Sequence, residues 1–255
     1  MSDASPTTEN LANHVIILGW DEFASLVTEQ LVASQHQVVV VTREEEDRER
    51  IHEAFDPSQV MVFESYLADF QELEHVAIES CLKVFVNLGD DRESLVAILK
   101  MKDLYDGIEY DVLLEDKELK DTFYVAGVRY AVSKFNISAK VLASHLYEPD
   151  AAEYMIDLLA ATETDKDLDV QQYQILESNP LAGEPYGDAF WKLKTEHDCV
   201  PVGLSKAQPD GHHELHKIPE DDLLVEAGDF MLLVIRGAAE AGIEELFGVI
   251  EGMRQ

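Results

Sequence analysis

Residues 14–42, HVIILGWDEFASLVTEQLVASQHQVVVVT, carry the pattern that decides the fold. Two short runs rich in β-branched residues stand at its ends, and a longer stretch separates them. In that stretch the apolar residues recur at helical spacing, at Phe23, Leu26, Val27 and Leu31. Apolar strands joined by amphipathic helices are typical of a parallel sheet covered on both faces. The segment therefore predicts a strand, a helix and a second strand.

The same alternation continues along the first half of the chain. Further strands are predicted at 60–63, 83–88, 111–115 and 129–132, with helical stretches between most of them. Right-handed crossovers between such strands give a doubly wound sheet. We therefore predict an α/β, Rossmann-like domain over residues 14–135, preceded by a flexible tail at 1–13.

After residue 135 the pattern changes. Two helical stretches follow each other without a strand between them, and a polar, acidic linker ends at residue 169. The predicted segments are crossover helices and linker at 136–169, a small α+β lobe at 170–237 and a last helix at 238–255. Two short strands of the lobe are predicted within residues 223–237, around Gly228. The crossover helices are apolar enough to favour a dimer contact over internal packing, at Leu142, Leu146, Tyr154, Met155, Leu158 and Leu159.

The composition is that of a globular protein with an unusual charge. Fifty-two acidic and nineteen basic residues give a formal net charge of −33. Such a surface repels phosphate, so nucleic acid is not expected as a partner. Two interpretations stay open: a surface that holds cations, or adaptation to high salt, which screens the repulsion.

Cysteine usage and hydropathy indicate the compartment. Cys81 and Cys199 are the only cysteines and stand far apart, which fits a reducing cytoplasm. The first ten residues have no signal-peptide pattern, and no window approaches about 18 consecutive apolar residues. We therefore expect a cytoplasmic protein without a membrane span.

The turn after the first strand departs from the dinucleotide-binding pattern. That pattern is G-x-G-x-x-G, in which glycines let the backbone approach a pyrophosphate. Here Gly19 is present, but Asp21 and Ala24 replace the second and third glycines. A carboxylate at the helix start occupies the place of a phosphate. We therefore expect NAD not to bind, and a smaller ligand such as adenosine is less disfavoured. The candidate cofactor-binding residues are Gly19, Trp20 and Glu44, the last of which stands after the second strand, where a dinucleotide binder needs an acid for the ribose.

Several segments resemble the RCK (regulator of conductance of potassium) domain family. They are HVIILGWDEF at 14–23, VFVNLGDDRES at 84–94 and the long segment at 126–160, followed by PLAG at 180–183 and EAGDFMLLVIRG at 226–237. The Gly-Trp pair at the first turn is most similar to calcium-gated prokaryotic potassium channels. The resemblance implies a C-terminal RCK lobe over the small domain.

The resemblance to the RCK family also implies a function for the chain. The resemblance implies a non-enzymatic, ligand-sensing gating-ring domain that forms dimers and an octameric ring beneath a potassium channel pore. It also implies a Ca²⁺ site after the fourth and fifth strands. The residues at or near the corresponding positions are Asn87, Asp90, Asp91, Glu115 and Asp116. Only Glu115 keeps the family's acid, so the site is either weakened or lost, because Ca²⁺ takes about six to eight oxygen ligands.

Three alternatives to this expectation stay open. The first is that the chain is a nucleotide-sensing subunit of a potassium uptake transporter. The second is that it is a nicotinamide-dependent oxidoreductase, which Asp21 at the first turn disfavours. The third is a transition-metal site at His212, His213 and His216. That segment is predicted as a hairpin arm, where alternation places His213 on the opposite face from the other two.

Overall fold

A computed structural model describes residues 11–67, 69–159, 164, 167–209 and 212–252. The chain divides into two compact units, residues 1–147 and 148–255. Most of the predicted tail, part of the acidic linker and the tip of the QPDGHH turn lie outside the described residues. No described helix is long and apolar enough to cross a membrane.

The first unit contains a six-stranded parallel sheet. Its strands are β1 (Val15–Leu18), β2 (Val38–Thr42), β3 (Val60–Glu64), β4 (Lys83–Val86), β5 (Tyr110–Leu114) and β6 (Tyr130–Ser133). They are ordered β3-β2-β1-β4-β5-β6, with Leu18 beside both Val41 and Val86. All residues of β1 and β2 are buried, because helices cover both faces. The predicted doubly wound, Rossmann-like class is confirmed.

Five α-helices lie in the described part of this unit. They are α1 (Glu22–Ala33), α2 (Glu45–Ala54), α3 (Asp91–Leu104), α4 (Lys120–Val125) and α5 (Lys134–Tyr147). Sequence patterning predicts most of these but misses two short 3₁₀ helices, Phe70–Val76 and Ile78–Ser80, between β3 and β4. That connection mixes acidic and apolar residues, and it buries Phe70, Leu73 and Val76 against the sheet.

The second unit is built around a four-stranded antiparallel sheet. Its strands are β7 (Leu168–Gln174), β8 (Val200–Ala207), β9 (His213–Lys217) and β10 (Phe230–Arg236), in the order β7-β10-β8-β9. The helices are α6 (Pro149–Asp157), α7 (Tyr186–Glu196) and α8 (Glu240–Phe247). Side chains from β7, β10, α7 and α8 share one core, in which the Tyr173 and Phe247 rings lie 5.1 Å apart.

Two predictions for this unit are wrong in detail. The sequence predicts two strands within residues 223–237, but only β10 forms, and Leu224 makes a single isolated bridge to Pro185. The last helix is predicted to run to the C-terminus, but α8 ends at Phe247. Gly248 follows it with φ +71°, a left-handed conformation that glycine adopts readily and that ends a helix.

Candidate functional site

The carboxyl ends of β1, β2 and β4 open into a cavity. The strand order reverses between β1 and β4, which is where open α/β sheets bind their ligands. The cavity has a volume of about 200 Å³. Its lining comprises Gly19, Trp20, Val41, Thr42, Arg43, Glu44, Asp47, Leu67, Asn87 and Leu88. The three residues predicted to contact a small ligand, Gly19, Trp20 and Glu44, therefore line one cavity.

Gly19 forms the sharp turn between β1 and α1. Its φ is +91°, and a Cβ built on it lies 2.2 Å from the backbone oxygen of Asn87. Both the backbone conformation and the close approach to β4 require glycine. The glycine therefore brings the start of α1 against the end of β4, which forms one wall of the cavity.

The Asp21 carboxylate lies at the N-terminus of α1. Its Oδ1 accepts hydrogen bonds from the Ala24 N–H at 2.9 Å and from Asn87 Nδ2 at 2.7 Å. The first turn of α1 is thus capped by an anion of the chain itself, in the position where a dinucleotide site presents free N–H groups to phosphate. A pyrophosphate at this turn has to approach a carboxylate, which is electrostatically unfavourable.

The end of β2 supplies the polar wall of the cavity. Thr42 Oγ1 donates to Asp47 Oδ2 at 2.6 Å and accepts from the Glu44 N–H at 3.3 Å. Glu44 stands at the N-cap position of α2, but its side chain makes no capping hydrogen bond. The Glu44 carboxylate is therefore not committed to the helix, in contrast to Asp21.

Arg43 connects the end of β2 to the first turn of α3. Its Nη2 donates to Glu93 Oε1, while its Nε is buried with no hydrogen-bond partner among the described residues. Sequence reasoning missed this pair, because the two residues stand 50 positions apart and only the tertiary fold brings them together. Among the described residues that line the cavity, Arg43 is the one cation, so it is the side chain best suited to an acceptor group of a ligand.

Trp20 packs beside the cavity through its ring. The ring lies edge-on to Phe55 at a centroid distance of 6.2 Å. It adds an apolar surface to a lining that is otherwise rich in polar groups. Apolar walls with a few directed polar groups are typical of small-molecule sites.

Three of the predicted cation ligands make contacts within the chain near the ends of β4 and β5. Asp91 accepts from the backbone N–H groups of Glu115 and Asp116, at 3.0 Å and 2.8 Å. The Asp116 carboxylate accepts from the Glu118 N–H at 2.9 Å. The Glu115 carboxylate lies 3.6 Å from Lys134 Nζ. In this arrangement the carboxylates serve local hydrogen bonds and one ion pair.

The other two predicted ligands are also engaged. Asp90 caps α3 by accepting from the Arg92 and Glu93 N–H groups, each at 2.9 Å. The Asn87 amide donates to Asp21. Across the described ranges, no group of three or more His, Cys, Asp and Glu side chains is arranged to hold a metal ion. The Ca²⁺ site stays a prediction.

The histidines near β9 contact different partners. His213 Nε2 lies 3.1 Å from the Gly228 oxygen, and its ring packs against Phe230 at 5.2 Å. His216 Nε2 lies 4.0 Å from a carboxylate oxygen of Glu214. These contacts are structural or exposed, and they do not converge on a common point.

Comparison with known proteins agrees with the fold. Residues 15–134 match the TrkA-N domain family. The human SLO3 gating ring is similar in structure, with a TM-score of 0.65 and 8% identity over 92% of this chain and 46% of that chain. At that identity the likeness shows the fold alone.

Two further solved structures match at a TM-score of 0.44, too low to support a conclusion. One is the GsuK channel bound to NAD, with 16% identity over 92% of this chain and 38% of that chain. The other is the TrkA-N domain of the Escherichia coli inner membrane protein ybaL, with 17% identity over 59% of this chain and 98% of that one. The expectation that NAD does not bind is not confirmed and stays a prediction.

The chain spans less than half of the length of the first solved structures that it matches. Within it, the six-stranded unit and the small antiparallel unit reproduce the order that the sequence resemblance implies. Residues 15–134 therefore match the TrkA-N domain family, and the chain has the fold of the human SLO3 gating ring.

Proposed function

We propose that the chain is a regulatory module that senses a small ligand and, as a homo-oligomer, transmits its binding to a potassium channel pore. In this proposal it works in the cytoplasm at the inner face of the membrane and performs no chemistry. A ligand shifts such a module only as far as it prefers one conformation over the other. The family match and the gating-ring fold support the proposal.

The observation that carries the proposal is the apolar surface of α5. The structure describes the whole helix, and none of its residues is buried. Leu142 is 63% exposed and Leu146 is 79% exposed, and residues four apart lie on the same side of a helix. Burying such surface is favourable by about 25 cal/mol per Å². A second copy of the chain, paired through α5, is the partner that we propose.

Light scattering on the purified chain tests the pairing. We expect dimers or larger assemblies for the wild type, and a shift to monomer in Leu142→Gln/Leu146→Gln. Lys140→Gln is the matched control, because Lys140 is exposed on the opposite side of α5. A wild-type monomer at high concentration, or a double variant that still dimerises like the control, contradicts the proposal.

The cavity at the ends of β1, β2 and β4 is the proposed ligand site. Its volume of about 200 Å³ lies below the range of about 300–1,000 Å³ that is usual for drug-sized ligands, so it suits a nucleoside-sized molecule. Trp20 offers an apolar face, and the Arg43 guanidinium and the Glu44 carboxylate offer donors and an acceptor. The Asp21 carboxylate disfavours a pyrophosphate.

A melting-temperature screen identifies the ligand. The probes are Ca²⁺, Mg²⁺, Na⁺, NADH, ATP, ADP and adenosine at matched ionic strength. A ligand raises the midpoint in proportion to the logarithm of its excess over the dissociation constant. Adenosine is expected to stabilise more than NADH. If neither it nor any other probe stabilises the chain, the sensing proposal loses its support.

A separate substitution tests the predicted Ca²⁺ site. A stabilisation by Ca²⁺ that Mg²⁺ does not reproduce is expected to disappear in Glu115→Ala. Glu118→Ala is the matched control, because its carboxylate is exposed three positions further on. A Ca²⁺ shift that survives in Glu115→Ala moves the cation site elsewhere.

The second candidate function is regulation of a potassium uptake transporter by a nucleotide. The TrkA-N match is compatible with both settings. The screen separates them, because the transporter alternative requires ATP, ADP or NADH to stabilise the chain more than adenosine and Ca²⁺ do.

A further inference from the structure

One face of β7 carries acidic and polar groups into the core of the second unit. Asp169, Gln171 and Tyr173 alternate along the strand, so they lie on the same face. Their register partners on β10 are buried and apolar, at Ile235, Leu233 and Met231. Residues directly opposite each other in an antiparallel pair share a face. This is therefore the side of the sheet that packs against α8.

A chain of hydrogen bonds runs along that face. The fully buried Tyr173 hydroxyl donates to Gln171 Oε1, and Gln171 Nε2 donates to Asp169 Oδ2 at 3.3 Å. The buried amide is thus committed at both ends, and its orientation requires Asp169 to accept. The chain ends on a carboxylate at the beginning of β7.

The C-terminal segment brings three more carboxylates to the same place. Glu240 and Glu244 stand one turn apart on α8, whose orientation is fixed by the contact of Phe247 with Tyr173. The Gly252 N–H donates to the Gln172 oxygen at 2.9 Å. Because β7 is an edge strand, this bond holds the turn that contains Glu251 against the open edge of the sheet.

The charges around Glu251 are all of one sign. Burial first, and then Asp169, Glu240 and Glu244, raise the pKa of Glu251 to about 7. Burial, Glu244 and Asp169 also raise the pKa of Glu240. Among the described residues, every charged side chain that acts on Glu251 is an acid.

The nearest basic residue along β10 does not face the cluster. Arg236 pairs with Leu168, whose side chain points to the opposite face from Asp169. The repulsion among the four carboxylates is therefore relieved by a proton rather than by a neighbouring cation of the described strands.

We propose that the contact of α8 and the C-terminal turn with β7 is a proton-sensitive latch, closed when Glu251 is protonated and loosened when Asp169, Glu240, Glu244 and Glu251 are all charged. This device is independent of the ligand cavity of the first unit. It gives the second unit a response to pH near neutrality. The element that moves is residues 240–252.

The direction follows from the raised pKa of an acid. In the docked state Glu251 holds its proton up to about pH 7, whereas an undocked glutamate loses it near its ordinary value of 4.5. The contact is therefore strongest below that ordinary value. It weakens as pH rises through the window between 4.5 and about 7, and it is weakest above it.

Thermal unfolding of the full chain at constant ionic strength tests the latch. Trp20→Phe leaves Trp191, on α7, as the only tryptophan, so its fluorescence reports on the second unit. In this background we expect a midpoint about 5 °C lower at pH 8.0 than at pH 5.5. Glu251→Gln is expected to raise the pH 8.0 midpoint and to remove most of the difference. Glu177→Gln, an exposed neutralisation in the same unit, is the control and keeps the wild-type difference.

Amide hydrogen exchange gives a second readout that does not depend on global unfolding. After correction for intrinsic rates, opening at Gly252 and along α8 is expected to be about tenfold more frequent at pH 8.0 than at pH 5.5. Glu251→Gln is expected to abolish that ratio. Equal opening at the two pH values, or a Glu251→Gln variant with the wild-type pH dependence, overturns the proposal.

Discussion

Replacement of Asp21 separates its structural role from its electrostatic one. In Asp21→Ala the Ala24 N–H loses its cap, which costs about 1 kcal/mol in comparable helices. Asn87 is only 6% exposed, and its amide also loses its acceptor at 2.7 Å, which costs about 1–3 kcal/mol more. We therefore expect Asp21→Ala to lower the free energy of unfolding by about 2–4 kcal/mol.

Asp21→Asn keeps the geometry and removes the charge. Asparagine caps helices as well as aspartate does, and its Oδ1 accepts from both donors. The remaining cost is that of exchanging charge-assisted hydrogen bonds for neutral ones, which we expect to stay below about 1 kcal/mol. The two variants therefore differ in stability although they lose the same charge.

Urea unfolding measures the difference. With Trp191→Phe as the background, Trp20 is the only tryptophan and stands next to the substituted residue. The midpoint and slope give the free energy of unfolding. If Asp21→Ala costs less than about 0.5 kcal/mol, or if Asp21→Asn costs as much as Asp21→Ala, then the hydrogen bonds assigned to this carboxylate do not hold the turn.

Two other substitutions test the packing around the site and in the second unit. Gly19→Ala is expected to destabilise the first unit by about 3 kcal/mol or more, because its Cβ meets the Asn87 oxygen at 2.2 Å. Gly89→Ala, with φ +74° but open space, is expected to cost about 1 kcal/mol, and equal costs in urea unfolding would contradict the close approach. Asp229→Asn is expected to cost about 2–4 kcal/mol, because the buried carboxylate accepts from the Ala207 and Glu226 N–H groups and from Lys206 Nζ. Glu226→Gln, whose carboxylate is exposed, is expected to leave the midpoint nearly unchanged. A large loss there would mean that the Lys206–Glu226 ion pair, rather than Asp229, stabilises the contact between β8 and the turn before β10.

Local patterns predict the parallel sheet well. The runs that form β1 and β2 are apolar on both faces, which fits only a covered parallel strand, and the helix between them begins directly after Asp21. The pattern fails where burial and backbone conformation decide. The apolar pattern of Leu223 to Val225 predicts a strand, but only Leu224 forms a β-bridge. The apolar spacing beyond Gly248 predicts that the last helix continues, but the left-handed φ of Gly248 ends it.

The candidate site is predicted only in part for the same reason. The sequence identifies Gly19 and Asp21 because their positions in a strand-turn-helix are fixed locally. It cannot identify Arg43 with Glu93, or Glu251 with Asp169, because each pair is distant in the chain and meets only in the folded unit. It also cannot show that Asp91 holds the two backbone N–H groups after β5, a role that competes with cation binding.

Calorimetric titration of NADH into the wild type and Asp21→Asn tests the central claim most directly. A phosphate about 4 Å from the Asp21 carboxylate is opposed by about 1–4 kcal/mol, depending on the local dielectric. We predict that Asp21→Asn binds NADH at least about tenfold more tightly than the wild type at the same ionic strength. Tight binding of NADH by the wild type, with no gain in Asp21→Asn, contradicts the claim that this carboxylate closes the turn to a pyrophosphate.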